Sequence, residues 1–311
     1  MSFRSTYKLI SKQAVHWFPG HMGKGLKQMQ QRLKMVDCVV EVHDARIPFS
    51  GRNPEFEQTI TGGDLKPHVL VLNKKDLVDR RDQRKVENEL KNNGIKNIIF
   101  TNCKNQQCQG TRELLPKITE LIVESDRYNR RNEKDYNVMV IGVPNVGKSS
   151  LLNVLRNKNL GKKSAAAVGA EAGITRSVLE KIKICEAPLT YMIDTPGILE
   201  PRVTDDEMGM KLALVGCFPD HIVGIDQIAD YLLYWLNKHN KFEYVEVLGL
   251  KNATDHIAEL LFYHAKNLGK TRKIKRYDGQ VITMPDMLYA AQNFVQIFRK
   301  GEFGHILLDK V

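Results

Sequence analysis

The chain has 311 residues and a formal net charge of +11, with 42% hydrophobic and 27% charged residues. This is the composition of a globular protein that is large enough to bury a core without disulfide bonds. No apolar run approaches the ~18–20 residues that a membrane-spanning helix needs, so any membrane contact is expected to be peripheral. The basic balance permits RNA, DNA or an anionic membrane as a partner but selects none of them.

The cysteines argue against a disulfide framework and against a zinc knuckle. Their number, five, is odd, and no two of them have CxxC spacing. This pattern favours a reducing compartment, with thiols that are buried or incidental.

The first fifteen residues have the composition of an organelle transit peptide. They contain Arg4, Lys8 and Lys12 and four Ser or Thr residues, and no acidic residue precedes Asp37. We therefore expect a mitochondrial transit segment over residues 1–15. A short basic tail is the alternative.

Residues 16–204 alternate between short apolar runs and helical patterns, which predicts an α/β domain with a mostly parallel sheet and helices on both faces. The charged stretch 127–135 is expected to be a joining segment, and residues 157–173, rich in Lys, Gly, Ala and Ser, a mobile loop. Strands are predicted at residues 37–42, 68–72, 97–100 and 138–141, with a hairpin or neighbouring strands at 181–185 and 189–193. Helices are predicted at residues 24–35, 82–93, 111–124 and 148–156.

From Asp205 onward the pattern predicts helices and no strands. Residues 205–311 are therefore expected to form a second, mainly helical domain. Its helices are predicted at residues 207–217, 225–238, 254–268 and 285–300.

Residues 142–149, GVPNVGKS, match the phosphate-binding pattern GxxxxGK[ST]. A chance match in a chain of this length is on the order of one per cent, and here a strand pattern precedes the loop and a helix pattern follows it. We expect the loop amides to bind phosphate, Lys148 to reach the β- and γ-phosphates, and Ser149 to hold Mg²⁺. The predicted nucleotide contacts in this loop are Pro144, Asn145, Val146, Gly147, Lys148, Ser149 and Ser150.

A second phosphate-sensing motif, DTPG, begins at Asp194, 45 residues after Ser149 and at the end of a predicted strand. Asp194 is expected to contact Mg²⁺ through water, and the amide of Gly197 to sense the γ-phosphate. Thr175 in the intervening GITR segment is the candidate switch threonine on Mg²⁺. An ordinary polar loop residue is the alternative for Thr175.

The segment Asn73-Lys74-Lys75-Asp76 has the pattern of a guanine-reading motif. The carboxylate of Asp76 can accept hydrogen bonds from guanine N1–H and the exocyclic amine, a donor pair that adenine lacks. Lys74 is expected to lie along the base. At the next strand end, Asn102 and Cys103 are the candidates whose backbone amides read the base oxygen. A solvated turn is the alternative for the NKKD segment.

The order of these motifs is reversed relative to an ordinary GTPase, because the guanine reader precedes the P-loop. A circular permutation accounts for the order, since the ends of compact domains often lie close together and new ends can be cut in a loop.

The permuted order resembles that of the circularly permuted ribosome-assembly GTPases. The shared motifs are HWFPGHM at residues 16–22, DARIPFSGRNP at 44–54 and GVPNVGKSS, and the similarity is greatest to the mitochondrial ribosome-associated branch. The resemblance implies hydrolysis of GTP to GDP and phosphate with Mg²⁺, coupled to assembly of the mitochondrial ribosomal large subunit through its rRNA. It also implies a location in the mitochondrial matrix, with peripheral contact to the inner membrane left open.

Two further roles follow from the same resemblance. Ile198 follows DTPG where many GTPases carry a water-orienting glutamine, so hydrolysis by the protein alone is expected to be slow. The family's WFPGHM histidine, which is His21 here, is a candidate for placing the water, and a simple turn residue is the equal alternative. Asn145 resembles the asparagine that ligates K⁺ in potassium-activated relatives.

Residues 263–276 form a basic run without acids, interpreted as a basic helix for RNA. A solvated charged face is the alternative, and contacts of the family's C-terminal domain with rRNA favour the RNA interpretation. The candidate RNA contacts are Lys266, Lys270, Arg272, Lys273, Lys275 and Arg276.

Three functions are thus compared. The first is a ribosome-activated GTPase, and the second is a non-enzymatic rRNA-binding scaffold with structural GTP. The third is a P-loop kinase or ATPase, against which Asp76 argues.

Overall fold

The structure, a computed structural model, describes residues 3–8, 33–52, 66–127, 130–161, 181–194, 205–275 and 280–311. The chain divides into two compact units. The helical unit consists of Met1–Trp17 and Thr204–Ile306, and the sheet unit of Phe18–Val203 and Leu307–Val311. Leu307–Val311, which lie inside the C-terminal domain expected from the sequence, thus belong to the sheet unit.

The sheet unit contains a six-stranded sheet in the order β3-β2-β1-β4-β6-β5. The first five strands in that order run parallel, and β5 pairs antiparallel with β6. The predicted strands are confirmed, with ends that differ by at most two residues. The strands are β1 Cys38–Asp44, β2 His68–Asn73, β3 Ile98–Phe100, β4 Tyr136–Ile141, β5 Lys181–Glu186 and β6 Leu189–Asp194.

Helices α1 (Arg80–Asn92), α2 (Gln109–Glu124) and α3 (Lys148–Leu160) belong to this unit. The side chain of Asp79 caps α1 by accepting from the amide of Arg81 at 2.7 Å, and Val86 and Leu90 turn into a core with Leu70 and Leu72 of β2. The α/β fold expected from the sequence is therefore confirmed.

Helix α3 extends beyond its predicted end. The predicted loop over residues 157–173 starts too early, because α3 continues to Leu160 and ends only at Gly161, which adopts φ 62°. The remainder of that loop and most of the predicted helix 24–35 lie outside the described residues.

A buried carboxylate fixes the segment that joins the two halves of the permuted sheet. Asp37 precedes β1 and accepts hydrogen bonds from Arg127 Nε at 3.1 Å, Arg130 Nε at 3.0 Å and the amide of Asn137 at 2.7 Å. Arg130 also pairs with Asp135 just before β4. The charged residues that marked this stretch in the sequence therefore anchor the junction.

The helical unit is built from α4 to α9, with a two-stranded sheet of β7 and β8. In chain order these elements are α4 Asp206–Leu214, α5 Asp220–Val223, α6 Ile225–Lys238, α7 Glu243–Val247, α8 Ile257–Asn267, β7 Thr271–Lys275, β8 Val281–Pro285 and α9 Met287–Lys300. Along the described part of the chain, no helix is long and apolar enough to span a bilayer.

The hairpin of β7 and β8 corrects two predictions: that no strand follows Asp205, and that the basic run 263–276 is one helix. Helix α8 ends at Asn267, and Gly269 then takes φ 64°, a left-handed conformation that stops the helix. The residues that follow pair antiparallel, with Ile274 opposite Ile282. β-Branched residues at paired positions favour this extended geometry over a continuing helix.

Part of the predicted transit segment packs within the helical unit. The guanidinium of Arg4 lies 2.9 Å from a carboxylate oxygen of Asp230 and 3.1 Å from one of Asp255. The hydroxyl of Tyr7 donates to the carbonyl of Gln227 at 3.1 Å, and its ring meets that of Tyr231 edge to face. These contacts tie residues 3–8 to α6.

Candidate functional site

The carboxyl ends of the parallel strands bring the predicted motifs to one edge of the sheet. Strand β1 ends at Asp44, β2 at Asn73, β3 at Phe100, β4 at Ile141 and β6 at Asp194. Because these strands run in the same direction, the loops that follow them share that edge, where ligands of α/β proteins bind. Strand β1 lies beside β4 although β2 and β3 intervene in sequence, which is how the reversed motif order fits one site.

The P-loop needs glycine at both glycine positions of its motif. Gly142 has φ 149°, and a Cβ there would lie 2.2 Å from the carbonyl oxygen of Val42. Gly147 has φ 103°, and a Cβ there would lie 2.3 Å from the side-chain amide of Asn73. Asn145 between them has φ 60°. The loop therefore runs pressed against β1 and β2, a backbone path that other residues would strain.

The predicted phosphate-binding side chains cluster at the start of α3. Lys148 is 8% exposed, and its ammonium donates to the carbonyls of Gly142 at 2.9 Å and Val143 at 3.0 Å. Ser149 and Ser150 follow in the first turn, half-buried. Pro144 and Val146 within the loop are buried. A helix that begins directly after a glycine-rich turn directs its first amides at an anion.

Asn73 ties three loops together. Its amide nitrogen donates to the carbonyl of Val146 at 2.8 Å. Its amide oxygen accepts from the hydroxyl of Thr101 at 3.1 Å and from the amide of Cys103 at 3.3 Å. Both ends of this buried side chain therefore contact protein groups, so Asn73 holds the end of β2 and the loop after β3 against the P-loop.

Lys74 joins the same two segments through its ammonium. Its backbone is left-handed, with φ 61°, and its Nζ lies 2.9 Å from the carbonyl of Asn145 and 2.9 Å from a carboxylate oxygen of Asp44. Burial opposes ionisation of Asp44, but the charges of Arg46 and Lys74 outweigh it and hold the pKa of Asp44 far below its usual range. Asp44 thus stays anionic and fixes Lys74.

Asp44 is a site residue that the sequence interpretation missed. The DARIP segment served only as a family resemblance, although an acid placed directly after a buried strand was a usable signal. The side chain is 1% exposed, so its charge is stabilised by protein groups and not by solvent.

The remaining base-site candidates differ in exposure. Asp76 is exposed and lies in the short 3-10 helix Lys75–Leu77, and Lys75 is half-buried. Asn102 is half-buried, and its side-chain oxygen accepts from the amide of Lys104 at 2.9 Å. Burial raises the pKa of the Cys103 thiol to about 12, so this side chain stays neutral.

Of the residues predicted to hold Mg²⁺, Ser149 and Asp194 lie within the described ranges. Ser149 is the second residue of α3, and Asp194 ends β6, where the backbone pairs with Val140 of β4. A serine hydroxyl and a carboxylate are the hard oxygen donors that suit Mg²⁺. Thr175, Gly197 and His21 lie outside the described residues, and within the described ranges no group of three His, Cys, Asp or Glu side chains is placed to hold a metal.

A buried acid lies deeper in the sheet. Glu41 of β1 is 5% exposed, and its carboxylate oxygens lie 2.7 Å from His43 Nε2 and 2.9 Å from His68 Nε2. Burial opposes ionisation of Glu41, but these two imidazoles lower its pKa well below the usual range. The cluster makes the stability of the sheet unit sensitive to acid.

Comparison with known proteins identifies the family. The sequence model described as "50S ribosome-binding GTPase" matches residues 137–267. "Mitochondrial GTPase 1" of Aedes aegypti is 56% identical over 99% of this chain and 98% of its own length. "Mitochondrial ribosome-associated GTPase 1" of Ictalurus punctatus is 47% identical over 99% of this chain and 96% of its own. This chain belongs to the circularly permuted ribosome-assembly GTPases.

More distant members of the family also match most of this GTPase. "Ribosome biogenesis GTPase A" of Bacillus cereus is 34% identical over 82% of both chains. The structure of GNP-bound YlqF from T. maritima superposes with a TM-score of 0.57 at 23% identity, over 92% of this chain and 98% of that one. The similarity to YlqF, at 23% identity, supports the fold alone. Membership of the mitochondrial GTPase 1 branch, expected from the motifs, is confirmed by the first relatives.

The candidate RNA contacts of the GTPase surround the end of α8 and the β7 strand. Helix α8 carries Lys266 near its end, and Lys270 lies before β7, with its ammonium 5.3 Å from the centre of the Tyr289 ring. Arg272, Lys273 and Lys275 lie on β7, whose five residues are all exposed. Arg276 lies outside the described residues.

Proposed function

We propose that this GTPase binds GTP through the site at the carboxyl edge of the sheet, hydrolyses it to GDP and phosphate, and couples that cycle to assembly of the mitochondrial ribosomal large subunit. The observation that carries the proposal is the pair of bonds from Asn73 to Val146 and from Lys74 to Asn145. They connect a guanine-type motif to a P-loop across 71 or more residues of sequence. Asp76 in that motif argues against a kinase or ATPase, because adenine lacks the donor pair that its carboxylate would accept.

We assign the residues of this site separate roles in binding the nucleotide. Lys148 and the amides at the start of α3 bind the phosphates, and the carboxylate of Asp76 reads guanine. Ser149, Asp194 and Thr175 are the proposed holders of Mg²⁺, which neutralises charge on the β- and γ-phosphates when it is bound. The Gly197 amide senses the γ-phosphate. Asn102 and Cys103 border the base.

Hydrolysis by the protein alone should be slow. Ile198 has no group that can orient water, and we propose that His21 assists instead. The left-handed backbone of Asn145 bends the P-loop at the position proposed for K⁺. A cation there would supply the charge that an arginine finger provides elsewhere. Replacing K⁺ by Na⁺ should therefore slow turnover, and equal rates would remove this role of Asn145.

The partner is proposed to be the mitochondrial large subunit, bound through its rRNA. The relatives carry the words ribosome-associated and ribosome biogenesis in their names. The exposed basic residues of β7 and Lys266 have the charge and accessibility that phosphate contacts require. A mitochondrial matrix location is proposed from the relatives' names and the basic residues 1–15, with peripheral binding to the inner membrane as an open alternative.

Asp76 offers the sharpest test of nucleotide identity. Asp76→Asn converts an acceptor into a donor at the base edge, so preference should move from guanine to xanthine nucleotides. Asp79→Asn, three residues away, keeps a capping side chain on α1 and is the matched control. Competition binding with GDP and XDP measures the change. Unaltered GDP preference in Asp76→Asn would overturn the base assignment.

Binding to the ribosome is tested by sedimentation with purified mitochondrial large subunits. Lys273→Glu with Lys275→Glu should weaken association and reduce the slope of log affinity against log salt, by about one for each lost phosphate contact. Lys85→Glu with Lys91→Glu, both exposed on α1, changes the net charge equally and serves as control. Equal weakening by both pairs would show that net charge, and no specific surface, carries the binding.

The alternative function is a non-enzymatic rRNA-binding scaffold with structural GTP. It predicts the same association with subunits, but with no dependence on the γ-phosphate. Sedimentation in GDP and in a non-hydrolysable GTP analogue separates the two functions. The proposed GTPase cycle requires that the two nucleotides give different affinities.

A further inference from the structure

The last five residues of the chain, Leu307–Val311, which we call the C-terminal tail, pack beside the base-reading motif. Leu307 packs against the core cluster that contains Ala45, Leu70 and Leu72. The amide of Leu308 donates to the carbonyl of Arg46 at 2.9 Å. This tail follows the last helix of the helical unit in sequence but belongs to the sheet unit, so specific contacts must hold it there.

Asp309 supplies that cause. Its carboxylate accepts from the amides of Phe49 at 2.9 Å and Ser50 at 2.8 Å, and from the hydroxyl of Ser50. The residue is 7% exposed. A carboxylate that accepts several hydrogen bonds in a water-poor setting makes strong, directed contacts, so Asp309 holds the loop after β1 at Phe49 and Ser50.

The same loop carries the groups that hold Lys74. Arg46, 1% exposed, donates from Nε and Nη2 to the two carboxylate oxygens of Asp44 at 3.0 and 2.8 Å. Asp44 in turn lies 2.9 Å from the ammonium of Lys74. An unbroken series of contacts therefore runs from Asp309 through the loop and Asp44 to Lys74.

We propose that the C-terminal tail is a positioning element of the guanine site, with Asp309 holding residues 44–50 so that Asp44 fixes Lys74 along the base. This inference rests on the proposed role of Lys74 in guanine binding. The tail acts on the nucleotide site through this loop. Its effect is to reduce the freedom that Lys74 would otherwise lose when the nucleotide binds.

Asp309→Asn in the full-length protein tests the tail. It keeps the size of the side chain but replaces a charged acceptor by a neutral amide, and we expect the Kd for GDP to rise about tenfold. The KM for GTP should rise in parallel while kcat at saturation is retained. Ser50→Ala, which removes only the hydroxyl bond to Asp309, is the milder variant and should raise the Kd about twofold to threefold.

Asp135→Asn is the matched control. This acid is paired with Arg130 and Lys181 just before β4, at the opposite, amino edge of the sheet. It should affect stability without changing the Kd for GDP. A similar loss of GDP affinity in Asp135→Asn would show that the effect of Asp309 is general destabilisation.

A double-mutant cycle with Lys74→Ala decides whether the tail acts through Lys74. In the Lys74→Ala background, Asp309→Asn should cost less than twofold in GDP affinity, because the group that it positions is gone. A full tenfold loss in that background, or wild-type affinity in Asp309→Asn alone, would overturn the proposal.

The cycle also separates this inference from the proposed function. If Lys74→Ala weakens GDP binding and Asp309→Asn does not, only the positioning role of the tail fails. If Lys74→Ala leaves GDP affinity unchanged, the base-site assignment fails and the tail proposal fails with it.

Discussion

Arg46 provides a quantitative test of the buried charges that support the site. We consider Arg46→Met, which keeps the aliphatic part of the side chain and removes the guanidinium. The arginine is 1% exposed, and its guanidinium donates to the two carboxylate oxygens of Asp44 at 3.0 and 2.8 Å. Removing one partner of a buried pair costs about 3–5 kcal/mol, because the remaining charge is left uncompensated. Lys74 still neutralises Asp44 in part, so we expect about 3 kcal/mol.

Native-state hydrogen exchange is the suitable assay. The chain has two compact units, so a single global unfolding transition cannot be assumed, whereas exchange reports each segment separately. The most protected amides of β1 and β2 should lose about 3 kcal/mol of protection free energy in Arg46→Met. The amides of α6 in the helical unit provide an internal control.

Adding Asp44→Asn to Arg46→Met identifies the origin of the cost. Because the second change removes the uncompensated charge, the double variant should be more stable than the sum of the two single effects predicts, by at least about 1 kcal/mol. A loss below about 1 kcal/mol in Arg46→Met would refute the reasoning. Strict additivity of the two changes would also refute it.

Three further predictions concern the P-loop, the buried acids and the N-terminal segment. Gly147→Ala should abolish detectable GDP binding, because its Cβ would meet Asn73 and its φ is 103°; wild-type affinity in a calorimetric titration would contradict the loop geometry. The pKa of Glu41 is lowered in the folded protein, so its contribution to stability is present above the unfolded pKa of about 4.3 and is lost as pH falls below it. The stability difference between the wild type and Glu41→Gln, measured by native-state hydrogen exchange of the β1 amides, should therefore shrink below about pH 4, and a constant difference would exclude this linkage. Arg4→Ala should lower the stability of the helical unit by about 1 kcal/mol, measured by hydrogen exchange of the α6 amides, and unchanged protection would mean that the Arg4 ion pairs contribute nothing.

Most of the sheet unit could be predicted because its central strands β1, β2 and β4 are buried on both faces. All seven residues of β1 are buried, and the apolar runs of the central strands, such as residues 69–72 of β2, stand out from the loops around them. The P-loop and NKKD motifs could also be recognised in the sequence, since their chemistry fixes both residue type and spacing. Their order alone implied the permutation.

The tertiary roles of Asp44, Arg46 and Asp309 could not be read from spacing. Asp309 contacts Phe49, 260 residues away in sequence, and no local pattern reports such a contact. The β7–β8 hairpin was missed for a different reason. Five exposed residues with several lysines carry no buried face, so the alternation that marks a strand is absent.

The central claim is a GTPase cycle that the ribosome drives, and GTP turnover with purified mitochondrial large subunits tests it most directly. We predict slow turnover by the protein alone and an increase in kcat of at least about tenfold with subunits in K⁺ buffer. Lys148→Ala should show neither rate, which excludes contaminating hydrolases. A turnover rate that saturating large subunits leave unchanged would contradict the account.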